Sequence, residues 1–238
     1  MIVRPSGPSQ LLITQPDHAA LAGRIMREWH AGELQTSPRR PEILLAIDQH
    51  DNGWAEVDVD PIVDPTTGRI FDFVSAPAQV RRSVWPRGIE RLSATPYAAA
   101  LVAQHALHIY ARFRSDTDWM PFFSEIESAR DRHLRAAADA TFEELQRDYV
   151  FVRLGDLASL VFCTAWQEPQ AEAGYSIRLD GTRVVIAPDP FGGRGVPIEV
   201  RARELPDRPF SSSADAHRTM SAAPQRVVSG IACGEAAV

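Results

Sequence analysis

Residues 47–54 read IDQHDNGW, and the reading of this stretch decides the fold. His50 stands directly before Asp51, at the end of an apolar run and just ahead of Gly53. An imidazole and a carboxylate side by side at a helix end can reach one metal ion from neighbouring directions. Both are good ligands for zinc, iron or manganese. The same letters also make an ordinary helix C-terminus, with Gly53 as the stop and Asn52 in the turn. The positions of the other histidines weigh between the two.

Working outward, PEILLAIDQHD (41–51) predicts a helix buried through Ile43, Leu44 and Ile47, and His50 and Asp51 continue that side. Burying Asp51 uncompensated is very costly, and a cation would remove the cost. Upstream, TQPD (14–17) has the form of a helix start, with Thr14 as cap, Pro16 in the first turn and Asp17 at the positive helix end. The helix it opens runs to about Trp29. His18 shares one face with Leu21, Ala22, Ile25 and Trp29, so it is expected to point inward. An ordinary core histidine bonded to a backbone carbonyl is the plain alternative there.

Downstream, PYAAALVAQHALHIYARF (96–113) predicts a helix on which His105 faces inward with Ala98, Leu101 and Val102, while His108 lies on the stripe of Gln104 and Arg112. A further helix is expected over Ser124–Arg147. His133 lies there among small residues, although its charged neighbours Asp131, Arg132 and Arg135 fit a surface position equally well. YVFVRLGDLASLVFC (149–163) predicts a buried helix holding one anion, Asp156. Such a carboxylate must pair with a cation, be protonated or bind a metal, and Arg153 is the nearest simple partner.

Residues 52–95 lose period but are rich in aromatics, which predicts an ordered flap over the end of the second helix. Trp54 follows Asp51 by three positions. Of the flap's Arg81, Arg82, Arg87 and Arg91, Arg82 and Arg87 are expected beside Trp54 as substrate contacts; the alternative is a solvated charged face. After Pro169 the pattern turns β-rich. Asp180-Gly181 marks a hairpin, VPIEVRARELP (196–206) a third strand, and the tail from Phe210 is partly helical or loose.

The 238 residues, 45% hydrophobic and 24% charged, fit one large domain or one domain with a small appendage. Two cysteines exclude a disulfide framework or a cysteine-rich zinc site, and the net charge of −6 argues against a general nucleic-acid binder. No apolar run approaches a membrane span, and the start MIVRPSGPSQ lacks the form of a signal peptide, so a cytoplasmic protein is the expectation. All 25 basic residues are arginine, which excludes Schiff-base catalysis by a side-chain lysine.

Inward-facing groups therefore come in the order His18, His50-Asp51, His105, His133, Asp156. This order resembles the HD superfamily of metal-dependent enzymes, whose helical core collects ligands as H…HD…D. Over most of the chain, including QPDH, PYAAALVAQH and GDLASL, the sequence looks like a bacterial HD-like group known mainly as a domain of unknown function. The resemblance implies a mainly α fold: an HD-like helical bundle over 1–168, with 169–238 as a small antiparallel β element and tail packed on the same domain. It carries His18, His50, Asp51 and Asp156 over as ligands of a first metal, and His105 and His133 to a second, with Asp51 bridging. Asp51 and His105 would be the catalytic residues. Many HD enzymes have Lys or His three residues after the Asp, where this chain has Trp54.

The function this implies is hydrolysis of a small phosphorylated or otherwise anionic substrate by metal-activated water, with one or two divalent ions, iron first and manganese, zinc or nickel as options. A di-iron oxygenase with the full six-ligand set is the alternative, and a non-catalytic module the third reading. The expected partner is a small molecule, with neither nucleic acid nor membrane, and a homodimer is left open.

Overall fold

The computed structural model describes residues 1–235. The chain opens with a hairpin, β1 (Ile2–Ser6) and β2 (Ser9–Ile13), followed by α1 (Gln15–Arg27) and α2 (Arg40–Gln49). A 3-10 turn at Asn52–Trp54 leads to α3 (Ala55–Val59), α4 (Ala78–Glu90), α5 (Pro96–Ile109), α6 (Met120–Ala136) and α7 (Phe142–Thr164). The rest is β3 (Gln170–Glu172), β4 (Tyr175–Asp180), β5 (Arg183–Ala187), β6 (Val196–Pro206), α8 (Ser213–Ala222) and β7 (Gln225–Gly234).

The mainly α, or all-α, expectation is overturned. Half of the chain is helical and a fifth is strand. The strands form one seven-stranded sheet in the order β1-β2-β6-β7-β5-β4-β3. It is mixed rather than antiparallel, because β7 pairs antiparallel with β6 and parallel with β5. Two elements account for the error. The N-terminal hairpin joins the sheet through β2 against β6, and the tail expected to be partly loose supplies both α8 and a ten-residue strand. The last three residues of that tail lie outside the described residues. The hairpin at Asp180-Gly181 and the strand at 196–206 stand where the turn signal and the alternation put them.

The helices form a layer on one face of the sheet. α1 and α7 lie directly on it, and α2 and α5 pack beyond them. Val196, Ile198, Val200 and Ala202 alternate inward along β6 and join the helical core. A second, smaller core under α8 gathers Leu12, Leu205, Phe210 and Ala216.

The helix expected over Ser124–Arg147 is two helices. α6 ends at Ala136, and Asp139 takes a left-handed φ of 53°. Thr141 then caps α7 in a full capping box with Glu144. That signal, Thr-x-x-Glu, is present in the sequence; the apolar stripe that continues across the break hides it.

Candidate metal centre

Four helix regions each deliver one part of the site. His18 comes from the first turn of α1, whose cap is the Thr14 side chain accepting the Asp17 amide. His50 caps the end of α2, and Asp51 follows it. His105 comes from α5 and Asp156 from α7. Gly155 lets α7 approach closely: a Cβ there would stand 2.8 Å from Met26 Cγ on α1 and 2.9 Å from Ile47 Cγ2 on α2. The neighbouring Asp156 is thereby carried in among the histidines.

His18 Nε2 lies 3.1 Å from His50 Nε2 and 3.1 Å from Asp156 Oδ1. His50 Nε2 is 3.4 Å from the same Asp156 oxygen. Asp51 Oδ2 stands 3.6 Å from His18 Nε2 and 3.7 Å from His50 Nε2. His105 Nε2 is 3.7 Å from the other Asp156 oxygen, Oδ2. Donors bonded to one ion at about 2.1 Å stand about 3.0 Å apart along an octahedral edge and about 3.4 Å apart along a tetrahedral one. The spacing of the four donors of His18, His50, Asp51 and Asp156 thus fits a single coordination shell.

The ring contacts behind these atoms decide the tautomers. His50 Nδ1 is 2.7 Å from the Ile47 carbonyl, which can only accept, so Nδ1 carries a proton. Ser159 donates its hydroxyl to the Asp156 carbonyl at 2.9 Å, so it accepts from His18 Nδ1 at 2.7 Å. In their neutral forms both rings therefore turn an Nε2 lone pair inward, and the two lone pairs face each other across 3.1 Å. That arrangement needs a cation between them. Backbone and side-chain partners that hold metal-binding histidines in this way are the usual second layer of a metal site.

The charges agree. Burial alone would push the His50 pKa down, but Asp51 and Asp156 raise it to about 9. Burial pushes Asp156 up, yet the hydrogen bonds from His18 and His50 hold it well below the usual carboxylate range. Burial raises Asp51, with His50 and His18 opposing, and lowers His105 to about 3. Without a metal the cluster holds a proton on His50, and a divalent ion would displace it.

Arg153, the simple partner for Asp156, instead binds Glu172 at 3.0 Å. His133 is not brought to the cluster. It is buried on α6 near Arg132 and Glu90 and belongs to neither donor group. α6 packs chiefly on α5 and α4, one layer away from α1, α2 and α7. His108 is exposed, with its ring against Tyr149.

A cavity of about 110 Å³ opens beside the cluster, and Trp54, Phe73 and Trp85 from the 52–95 flap line it. The flap's arginines do not. Arg82 donates to the Asp118 carbonyl and stacks over Trp119. Arg87 holds the Gly53 carbonyl at 2.6 Å and Glu56 at 3.0 Å. Arg91 holds the Asn52 carbonyl and Glu56, and Arg81 lies over the rings of Tyr110, Phe113 and Trp119. The anion-clamp expectation for Arg82 and Arg87 loses its support, because both guanidinium groups are used to pin the flap. Arg82→Ala should leave metal content and the Michaelis constant within twofold of the parent, as steady-state kinetics would test.

Two residues absent from the sequence reading also serve the site. Gln15 donates to Asp51 Oδ2 at 2.9 Å, and the Tyr149 hydroxyl meets His105 Nδ1 at 3.1 Å. A glutamine at a helix start carries no local signal for such a role.

The model of DUF3891, a protein family of unknown function, matches residues 1–207. The chain belongs to the DUF3891 family. The match takes in every donor described above. No curated protein and no solved structure matches the chain. No helix of this DUF3891 chain is long and apolar enough to cross a membrane, among the described residues.

Proposed function

We propose that this DUF3891 chain is a metal-dependent hydrolase of the HD type. One divalent transition-metal ion would be held by His18, His50, Asp51 and Asp156. The observation that carries the reading is the pair of inward lone pairs on His18 and His50, 3.1 Å apart and flanked by two carboxylates. Two neutral imidazoles and two carboxylates balance the charge of a divalent ion, and the mixed nitrogen and oxygen set suits iron, manganese or zinc.

Bound there, such an ion would acidify a water and polarise the bond to be cleaved. The chain's own residues do the rest. Gln15 holds Asp51 Oδ2 in place. His105 stays neutral and sits on the cavity wall, positioned by Tyr149, where Nε2 can accept or donate one hydrogen bond. Trp54, Phe73 and Trp85 limit the entry of bulk water.

The oxidative alternative drew on a six-ligand set. His133 stands outside the cluster, so five of the six residues converge, and this favours hydrolysis. Elemental analysis of purified protein with an absorption spectrum tests the reading. About one divalent ion per chain is expected, with hydrolysis of a panel of simple esters, amides and phosphoesters lost on chelation and restored by the metal. Two irons per chain with oxygen consumption would replace hydrolysis by oxygenation, and no metal at all would end the enzyme reading.

A further inference from the structure

The cavity beside the cluster has an unusual wall. Apart from the donor residues it is aromatic and aliphatic, with Trp54, Phe73, Trp85 and Tyr110 on its sides, and no arginine lines it. Two buried polar atoms on this wall lack partners. The Gln15 amide must turn its NH2 to Asp51, since a carboxylate accepts, and this leaves Gln15 Oε1 buried without a donor. The Trp85 indole N–H is buried without an acceptor. A buried polar atom left unpaired costs free energy that a ligand recovers by pairing it.

From these atoms we infer that the cavity takes a small uncharged carboxamide. Its N–H donates to Gln15 Oε1, its carbonyl oxygen accepts from Trp85 Nε1, and a short apolar remainder lies on the aromatic wall. A carboxylate of the same shape would set lone pairs against Gln15 Oε1 and negative charge beside Asp51 and Asp156. A cavity of about 110 Å³ limits the group to a handful of non-hydrogen atoms. The inference deepens the hydrolase reading and rests on it for the amide being a substrate; the recognition itself does not require the metal. As a reaction, water would add its oxygen to the carbonyl carbon, the C–N bond would break, and the nitrogen would leave as amine carrying the proton from water.

Isobutyramide and isobutyrate form a matched pair of probes. Their binding is measured by ligand-observed NMR, on the full chain as purified and after chelation. In the chelated protein isobutyramide should bind at least tenfold tighter than isobutyrate. In both forms Gln15→Met and Trp85→Phe should each weaken isobutyramide about tenfold, with melting temperature checked for each variant. Equal or tighter binding of isobutyrate to the chelated protein would overturn the inference. So would amide binding that neither substitution changes. A chain that takes up no metal yet keeps the amide preference and its dependence on Gln15 would sink the hydrolase and support the amide pocket.

Discussion

Asp156→Ala should strip the metal from the protein and with it all turnover. This carboxylate is the one group that meets all three histidines, through Oδ1 to His18 and His50 and through Oδ2 to His105. Removing it deletes one donor of the first ion and the only link to His105. Loss of a supporting partner of a ligand already costs about 10–100-fold in metal affinity, so loss of a ligand should exceed about 100-fold. Metal occupied at about a thousand times its dissociation constant stabilises a fold by about 4 kcal/mol. The variant should therefore melt lower, and added metal should no longer raise its melting temperature. Elemental analysis and thermal melts with and without metal measure both effects. His50→Ala and Asp51→Ala should behave alike. Full metal content in the Asp156 variant would mean that the cluster is an ion-pair network built around the His50 proton.

Gly53→Ala should be the most damaging single methyl in the chain. Gly53 lies in the turn that follows Asp51 and packs against the backbone of α4. A Cβ there would stand 2.0 Å from the Val84 carbonyl oxygen and 2.9 Å from its carbon. Gly88 on α4 completes the contact, where a Cβ would meet Asn52 Oδ1 at 2.8 Å and the Gly53 nitrogen at 3.1 Å. These are mostly backbone atoms, so no side chain can swing aside and α4 itself must move. Overpacking of a core costs typically 1–3 kcal/mol, and a clash with main chain belongs at or above the top of that range, about 3 kcal/mol. For a chain of this size that is a fall of about 6–12 °C in melting temperature. Because α4 carries Trp85 into the cavity, the amide probes should weaken as well. A variant that melts like the parent would show that the turn and α4 do not sit this closely.

The glycine in IDQHDNGW illustrates what was legible in the letters and what was not. As a helix stop Gly53 is readable from local chemistry. That it must also be bare because α4 lies on it follows only from a contact between segments some thirty residues apart. The Arg residues of the flap are similar. Their charge was visible, but a helix without a clear apolar period gives no direction to its side chains, and Gly53, Asn52 and Asp118 carbonyls turned out to hold them.

By itself the sequence determined the helices with a strong 3.6-residue period and the inward direction of His18, His50, His105 and Asp156 on them. Burial of one helix face is a local property, written every third or fourth residue. It could not do the same for the sheet. β1 and β2 are short and flanked by Pro5 and Pro8, and QRVVSGIACG carries Gly, Ser and Ala through a strand that lies between β6 and β5. Those strands exist because distant partners supply their hydrogen bonds, and no local period records a partner. His133 was misplaced for the same reason: its helix face was apolar, but which helices that face would meet was decided by packing. The tertiary structure alone decided that α7 comes close enough, over Gly155, to set one carboxylate between three imidazoles.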